Sequence, residues 1–244
     1  MSHIHMDIEN LTFAYGAGSP VLDGLSLHVS EDESVGIIGA NGAGKSTFLR
    51  LLVGLHFPFS GSVRIEEIPL EKKTLAKIRE KIGFVFQDSD SQLFMTTVGE
   101  DVAFAPRNYG LPEDEVKKRV DDALEKVHIS HLRDKSIYRL SGGEKKLASL
   151  ATILSLTPDM ILLDEPTVAL DPRNRRNLIK VINEYDHVKL IASHDLDFIW
   201  DTCARTVLIA GGKIAADAPT EQIMRDEALL QRYGLESPLS LTKR

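Results

Sequence analysis

A glycine-rich segment between an apolar run and a helix constrains this chain more than any other part of its sequence. Residues 39–46 read Gly-Ala-Asn-Gly-Ala-Gly-Lys-Ser, the pattern G-x-x-x-x-G-K-S of a P-loop, and the apolar run 35–38 precedes them. Glycines let the backbone approach a phosphate, and successive N–H groups at a helix start hold the anion. In such a motif Lys45 reaches the β- and γ-phosphates and the Ser46 hydroxyl ligates Mg²⁺. The segment therefore predicts a nucleoside triphosphate site, with a purely structural glycine turn as the alternative.

The composition is that of a globular protein and disfavours several classes of function. The chain has 244 residues, 43% of them hydrophobic, and a formal net charge of −7, so a broad nucleic-acid-binding face is not expected. Its single cysteine, Cys203, excludes an internal disulfide and suits a reducing compartment. No stretch approaches the ~18 apolar residues of a membrane span, and the N-terminus lacks the apolar core of a signal peptide. His3 and His5 could bind a metal, but a frayed terminus is the simpler interpretation, since two histidines alone make no closed site.

Hydrophobic periodicity predicts an α/β chain with an antiparallel edge sheet ahead of the P-loop, because residues 6–15 and 21–29 alternate apolar and polar side chains. Tyr15, at the end of the first of these strands, could stack on a base or be an ordinary surface aromatic residue. Pro106 is expected to end or kink the helical segment that starts at residue 98. Further strands are predicted at 62–65, 82–86, 160–163, 188–192, 206–209 and 213–216. Further helices are predicted at 45–52, 75–80, 112–126, 145–156, 196–203 and 220–233, with another helix starting near Pro172.

Polar residues follow two of the buried strands, at the position where α/β sheets bind their ligands. Gln87 follows the strand at 82–86, and Asp164 and Glu165 follow the strand at 160–163. Adjacent acids at the end of an apolar strand are costly unless they serve a function. Asp164 could hold Mg²⁺ and Glu165 could poise a water molecule, whereas the alternative is a pair of exposed acids in a turn.

A second anion-binding helix start is predicted at residues 140–144, which read Leu-Ser-Gly-Gly-Glu. Ser141 can cap the following helix, and the N–H groups of the next residues then point outward toward an anion. By itself the segment is a weak signal, and the alternative is no more than a capped helix.

Together the P-loop, Gln87, Leu-Ser-Gly-Gly-Glu, Leu-Leu-Asp-Glu-Pro (162–166) and Ser-His-Asp (193–195) resemble the ATP-binding subunit of ATP-binding-cassette (ABC) transporters. The resemblance covers nearly the whole chain, and Leu-Ser-Gly-Gly is the family's signature. It implies one ABC ATPase domain over residues 1–244, an α/β fold of the P-loop NTPase (RecA-like) type. The implied α/β core spans about 1–87 and 157–244, with an N-terminal antiparallel β subdomain and an inserted helical subdomain at about 88–156.

Three further segments narrow the resemblance to one branch. Residues 86–94, hereafter the Q-loop, residues 100–106 and residues 227–236 look like the energy-coupling-factor and cobalt/nickel importers. The chain lacks the longer C-terminal extension of many vitamin-type ATPases, which favours the cobalt/nickel type. A vitamin importer, for biotin for example, or a non-transport ABC ATPase is the alternative. Departures from the family pattern are Glu144, Leu147, Val168 and Ser193, none of which removes a catalytic group.

The resemblance also implies a head-to-tail dimer with ATP and Mg²⁺ at its interface, each site combining the P-loop of one copy with the signature of the other. Glu165 would be the general base or water-orienting group, His194 would contact the γ-phosphate, Gln87 would sense it, and Asp171 would order the interface. The expected catalytic residues are Glu165, His194, Lys45 and Gln87, and the expected Mg²⁺ ligands are Ser46, Gln87 and Asp164. The residues expected at the ATP sites are Tyr15, Gly39, Asn41, Gly42, Gly44, Lys45, Ser46, Thr47, Ser141, Gly142, Gly143 and Asp171.

A membrane partner is expected to dock at Asp88–Phe94, because this polar segment carries two acids and then Leu93 and Phe94, which look exposed. The alternative is a solvated loop with both apolar residues tucked into the helical subdomain. The chain would then act as a peripheral protein on the cytoplasmic face of the cell membrane, without a nucleic-acid partner. ABC ATPases of DNA repair carry long coiled coils and ribosome-associated ones join two cassettes, and this sequence has neither feature.

Overall fold

The computed structural model of the chain describes residues 6–57 and 59–241, so His3 and His5 lie outside the described residues. The strands are β1 (Met6–Phe13), β2 (Leu22–Val29), β3 (Ser34–Ile38), β4 (Ser60–Ile65), β5 (Ile68–Pro69), β6 (Ile82–Val85), β7 (Met160–Asp164), β8 (Val188–Ala192), β9 (Arg205–Ala210) and β10 (Lys213–Pro219). The helices are α1 (Lys45–Leu52), α2 (Leu75–Lys81), α3 (Val98–Asn108), α4 (Glu113–Lys126), α5 (Gly142–Leu154), α6 (Pro172–Asn183), α7 (Leu196–Thr202), α8 (Thr220–Arg225) and α9 (Glu227–Arg232). Within the described ranges, no helix is long and apolar enough to cross a membrane.

The chain divides into two compact units. The first unit comprises the residues up to Ile82, the segment Asp159–Glu165 and the residues from His187 onward. The second unit comprises Gly83–Pro158 and Pro166–Asp186. The predicted boundaries of the helical subdomain, at about residues 88 and 156, stay a prediction. The second unit is a compact part of the chain that also includes Pro166–Asp186.

The first unit contains an antiparallel sheet in the order β2-β1-β4-β5, which confirms the predicted edge sheet. In its parallel sheet, β3 pairs with both β8 and β9, and β7 pairs with β8. Strands buried on both faces read as apolar runs rather than alternations, as β3, β7 and β8 do. The carboxyl ends of these three strands meet at one edge, which places the P-loop, Asp164 and Ser193 side by side. The strands predicted at 206–209 and 213–216 lie in β9 and β10, which pair antiparallel.

The second unit is mainly helical, with α3, α4 and α5 packed against one another and α6 packed on α5. Helix α4 is amphipathic, as its three- and four-residue spacing of apolar residues predicts. The residues it buries are Val116, Val120, Ala123 and Leu124.

Of the two outcomes expected at Pro106, an end of the helix is wrong, because α3 continues to Asn108, and a kink stays a prediction. A proline has no N–H, so the carbonyl of Val102, four residues earlier, loses its helical donor. The Ser155 hydroxyl donates to this carbonyl at 2.9 Å. The helix therefore passes through the proline without leaving a buried acceptor unsatisfied.

The single helix predicted over 220–233 is also wrong, since the segment forms α8 and α9 with a break at Asp226. The Asp226 carboxylate accepts a hydrogen bond from the Leu229 N–H at 2.9 Å and caps α9. Aspartate competes for backbone N–H groups in this way and favours helix starts over helix interiors.

Candidate functional site

The P-loop in the first unit takes a backbone path that only glycine can follow at two positions. Gly39 has φ 151° and Gly44, which caps the start of α1, has φ 103°. A Cβ on Gly39 would lie 2.2 Å from the carbonyl oxygen of Ile209, and a Cβ on Gly44 would lie 2.9 Å from Leu22. The loop is therefore built for close backbone approach, as the motif predicts.

Lys45 is buried at the start of α1, and its ammonium lies along the P-loop. Nζ donates to the carbonyl oxygens of Gly39 at 2.8 Å and Ala40 at 3.3 Å. Burial lowers the pKa of Lys45, and the nearby carboxylates of Glu165 and Asp164 partly oppose that shift. Carbonyls solvate an ammonium without neutralising its charge, so this lysine can pair with a phosphate.

Asp164 and Ser46 form a pair that suits Mg²⁺. Asp164 is fully buried at the end of β7, so the alternative of two exposed turn acids is wrong. Its Oδ1 accepts a hydrogen bond from Ser46 Oγ at 2.7 Å, and Arg50 Nη2 lies 3.4 Å from its Oδ2. Hydroxyl and carboxylate oxygens are the hard donors that Mg²⁺ takes, usually together with waters and substrate phosphates. In the part of the chain that the structure describes, no group of three or more His, Cys, Asp or Glu could hold a metal.

Glu165 is held in an unusual backbone conformation by the end of β8. Its φ is 47°, a left-handed value that is strained for a non-glycine residue, and its N–H donates to the Ala192 carbonyl at 2.8 Å. Its Oε2 accepts hydrogen bonds from the Ser193 hydroxyl at 3.3 Å and the His194 N–H at 3.2 Å, and it lies 2.7 Å from His194 Nδ1. The structure therefore brings two predicted catalytic residues together, with the His194 side chain 59% exposed beside a buried carboxylate.

Tyr15 lies beside the start of α1 with its ring fixed and 51% exposed. The hydroxyl lies 3.1 Å from Thr47 Oγ1 and 3.1 Å from His56 Nε2. The ring meets Phe13 and His56 edge to face, at centroid distances of 5.0 and 5.2 Å. Burial, with a smaller contribution from Arg50, lowers the pKa of His56, which favours the neutral ring as a partner for the hydroxyl. A half-exposed aromatic ring next to the P-loop helix is available for stacking on a base.

In the second unit, the signature residues start α5 with a capping box. The Glu144 N–H donates to Ser141 Oγ at 3.3 Å, and the Ser141 N–H donates to Glu144 Oε2 at 2.7 Å, so the predicted cap is confirmed. Lys135 Nζ lies 2.9 Å from Glu144 Oε1. Burial alone would raise the pKa of Glu144, but hydrogen bonds from Ser141 and the Lys135 charge outweigh it and lower that pKa. Glu144, one of the departures from the family pattern, thus forms an ion pair with Lys135.

Gln87 and Asp171 also lie in the second unit. The Gln87 side chain is exposed, and the backbone carbonyl of Gln87 accepts a hydrogen bond from Lys146 Nζ at 2.7 Å. Asp171 caps α6 by accepting hydrogen bonds from the N–H groups of Arg173 at 2.8 Å and Asn174 at 2.9 Å. A cleft of about 380 Å³ separates the Q-loop from the signature within this unit. Its lining consists of Gln87, Asp88, Ser89, Asp90, Leu140, Gly142, Lys145, Lys146, Val168 and Ala169.

The expectation that Leu93 and Phe94 are both exposed is half wrong. Leu93 is only 6% exposed, because a 3₁₀ turn at Ser89–Ser91 folds the Q-loop back and the Leu93 N–H donates to the Ser89 carbonyl at 3.0 Å. Phe94 is 62% exposed and meets Phe104 edge to face at 4.8 Å. Phe94 and Phe104 are therefore the apolar surface beside this loop.

Sequence reasoning missed two side chains that hold the Q-loop, Lys146 and Gln92. Lys146 offered a signal, since it follows Gly143 by three residues and precedes Leu150 by four, on the face of α5 that its apolar spacing buries. Leu147, one of the departures from the family pattern, is buried in the same helix. Gln92 gave no signal, because its partners on α5, Ser149 and Thr152, lie 57 and 60 residues away along the chain.

A family profile, related sequences and solved structures all relate this chain to ABC transporters. The profile of the ABC transporter family matches residues 22–168. One relative is a protein of Geobacter sulfurreducens that is named as an ABC transporter ATP-binding protein. It is 47% identical over 241 residues, which cover 99% of this chain and 97% of that protein. The energy-coupling factor transporter ATP-binding protein EcfA of Methanothermobacter thermautotrophicus is 41% identical, covering 96% of this chain and 76% of its own length.

Two solved structures share the fold. CbiO1 of Clostridium perfringens, described as part of the ABC transporter complex CbiONQ, superposes with a TM-score of 0.83 at 34% identity over 93% of each chain. A dimeric ATP-binding cassette in a post-hydrolysis state, bound to ADP and phosphate, superposes with a TM-score of 0.81 at 27% identity. That match covers 88% of this chain and 98% of the other.

Proposed function

Because this chain belongs to the ABC transporter family, we propose that it is the ATPase subunit of a membrane importer of the energy-coupling-factor and cobalt/nickel branch. As a family member it is an ATPase whose hydrolysis of ATP is coupled to transport. Its fold is that of a P-loop NTPase with an antiparallel sheet beside the parallel one. The observation that best supports the proposed site is the cluster of Lys45, Ser46, Asp164, Glu165 and His194 at the edge of the first unit's parallel sheet.

The proposed nucleotide site uses the P-loop as its phosphate cradle. The N–H groups that open α1 would bind the phosphates, Lys45 would pair with the β- and γ-phosphates, and Tyr15 would stack on the adenine. Ser46 and Asp164, which are hydrogen-bonded to each other in the first unit, would hold Mg²⁺, and Gln87 as a further ligand stays a prediction. When bound, this cation supplies positive charge against the phosphate oxygens.

Glu165 is proposed to take a proton from the attacking water, or to orient that water. A general base must hold its carboxylate in a fixed position near the reacting atoms. The three hydrogen-bonding contacts to its Oε2 from Ser193 and His194 supply that fixation. His194, with most of its side chain exposed, would contact the γ-phosphate and the attacking water.

The second half of each site is proposed to come from another copy of the chain. Ser141 and the N–H groups of Gly142 and Gly143 form a helix start whose donors have no partner within the helix. The γ-phosphate bound to one copy would fill this start on the other, so ATP would hold the two copies together. Asp171 would order the interface next to the signature.

Ser141→Arg is expected to abolish ATP-dependent dimerisation while the single chain still binds ATP. A bulky cation at the helix start would occupy the place of the partner's phosphate. Sedimentation equilibrium with ATP and Mg²⁺, alongside titration of the monomer with a fluorescent ATP analogue, measures both properties. The control is Ser141→Gly, which removes the hydroxyl at a capping cost of only a few tenths of a kcal/mol and should still dimerise. An ATP-dependent dimer of the arginine variant would contradict the proposed interface.

The membrane partner is proposed to dock at the Q-loop, on Asp88, Asp90 and the exposed pair of Phe94 and Phe104. The two acids suit a cytoplasmic helix with basic residues, and the aromatic pair offers it an apolar anchor. The subunit would then be a peripheral protein on the cytoplasmic face of the membrane. Its net charge of −7 disfavours a nucleic-acid partner.

Phe94→Ser is expected to abolish assembly with the membrane subunit, or to uncouple hydrolysis from uptake, because it removes the apolar anchor. Hydrolysis by the isolated subunit should change by less than about twofold, since surface changes cost little stability. Leu93 is left intact, because serine at that buried position would destabilise the unit itself. Tyr109→Ser, at another exposed aromatic residue of this unit, is the control. Normal co-purification and normal uptake by the Phe94 variant would place the docking site elsewhere.

The cargo is proposed to be cobalt or nickel, with a vitamin such as biotin as the alternative. Supporting this, CbiO1 belongs to the CbiONQ complex, and other relatives are named energy-coupling factor ATPases. Cells that lack the chain should lose uptake of labelled cobalt or nickel and regain it with the wild-type gene. Loss of biotin uptake with unchanged metal uptake would favour the vitamin importer.

A further inference from the structure

Two side chains tie the start of the Q-loop to the signature helix α5. Lys146 is only 3% exposed, and its Nζ donates to the carbonyl oxygens of Phe86 at 2.9 Å and Gln87 at 2.7 Å. These two carbonyls are consecutive and belong to the residues just before and at the proposed γ-phosphate sensor. The lysine therefore fixes the backbone from which the Gln87 side chain extends.

Gln92 makes the second connection. Its Oε1 accepts a hydrogen bond from the Phe86 N–H at 3.2 Å, and its Nε2 donates to the Ser149 carbonyl at 2.8 Å and to Thr152 Oγ1 at 2.9 Å. Phe86 is thus bound at its N–H through Gln92 and at its carbonyl through Lys146. Both connections end on α5, one in its second turn and the other in its third and fourth.

An ammonium group is an expensive means of joining two segments. Burying a charge is unfavourable unless hydrogen bonds compensate it, and a neutral or apolar side chain could fill the same space at lower cost. The Lys146 ammonium points at the backbone carbonyl dipoles of Phe86 and Gln87, so both hydrogen bonds are charge-assisted, and they are short, at 2.9 and 2.7 Å. This arrangement is suited to fixing a position more than to adding stability.

We propose that Lys146 is a positioning residue for Gln87, which locks the backbone of the γ-phosphate sensor to the signature helix so that the two move as one body. The inference rests on the proposed roles of Gln87 and Ser141. Gln87 would then be unable to adjust to a nucleotide unless α5 moves with it. Sensing of ATP and presentation of the signature would be a single event in each copy.

The test is a double-mutant cycle between Lys146→Met and Gln87→Ala. Methionine keeps most of the apolar stem and removes the ammonium. Lys146→Met is expected to lower kcat about tenfold, since small misplacement of a catalytic group costs up to about 10²-fold, while ATP affinity of the single chain changes less than about twofold. In the Gln87→Ala background the same change should alter kcat less than about twofold, because no sensor side chain is left to position.

Lys146→Arg, which keeps a cation able to donate to both carbonyls, should recover most of the rate. The control for loss of a lysine charge is Lys118→Met, an exposed residue of α4 in the same unit, which should leave kcat and the melting temperature unchanged. If Lys146→Met does not fold, Lys146→Gln, which retains one amide donor, takes its place in the same cycle.

The outcomes separate this inference from the function on which it rests. If Gln87→Ala lowers kcat but the two losses multiply in the double variant, Lys146 acts independently of Gln87 and the positioning role is wrong. If Gln87→Ala hydrolyses ATP at the wild-type rate, the sensor role fails and the inference fails with it. A loss in the single variants that is not increased in the double variant supports the proposal.

Discussion

Glu165→Gln is expected to lower the rate of ATP hydrolysis by about 10²–10⁴-fold, the usual loss when a general base is removed. Glutamine is nearly isosteric and can keep a hydrogen bond from His194, so ATP binding should stay within about twofold of the wild type. A bound ATP that is not hydrolysed holds the two copies together, and the variant should therefore accumulate as a dimer. Single-turnover hydrolysis and sedimentation in ATP and Mg²⁺ measure these effects.

The matched control is Glu184→Gln, an exposed glutamate at the end of α6 that pairs with Lys180 at the surface. Surface ion pairs of this kind contribute little, so this variant should hydrolyse ATP normally. Near-normal turnover by the Glu165 variant would show that another group acts on the water, and the hydrogen bonds from Ser193 and His194 would then need a different explanation.

Lys45→Ala is expected to weaken ATP binding by about 10- to 100-fold, since a hydrogen bond to a charged group contributes about 1.5–3 kcal/mol. The loss should be greater for ATP than for AMP, because the ammonium is aimed at the β- and γ-phosphates. Titration of the purified chain with both nucleotides measures the difference. Dimerisation with ATP should fall in parallel, because it depends on bound nucleotide.

Lys77→Ala, at an exposed position on α2, controls for loss of a positive charge in the same unit and should bind ATP normally. Equal affinities of Lys45→Ala and the wild type for ATP would contradict the assignment of the P-loop as the phosphate site. Because Lys45 is buried, its replacement could also unfold the chain. A melting curve of Lys45→Ala distinguishes weaker ATP binding from unfolding.

The parts of the site that sequence could predict are those encoded by neighbours along the chain. The P-loop, the capped signature helix and the Asp164-Glu165 pair each occupy a few consecutive residues next to an apolar strand or helix. Their local chemistry depends on backbone N–H groups and strand ends, which short patterns specify. The structure accordingly places Lys45, Ser46, Asp164 and Glu165 at one edge of the first unit.

The parts that sequence could not predict depend on contacts between distant residues. Leu93 is buried because the Q-loop folds back at Ser89, and nothing in its polar neighbours indicates that turn. Gln92 bonds to α5 across 57 and 60 residues, a distance that no local pattern reports. The break at Asp226 could be predicted only in part. An aspartate inside a predicted helix is a weak local signal for a break, and tertiary packing decides whether the helix ends there.

The hydrogen bond from Ser155 to Val102 also sets an order in which this chain can change during evolution. If Pro106 is replaced first, the new residue returns an N–H to the Val102 carbonyl, and the serine becomes dispensable. If Ser155 is lost first, the carbonyl is left buried without a donor, at a cost of about 1–3 kcal/mol. Loss of Ser155 is therefore tolerated only after loss of Pro106. In related sequences, we expect the proline to be replaced before the serine.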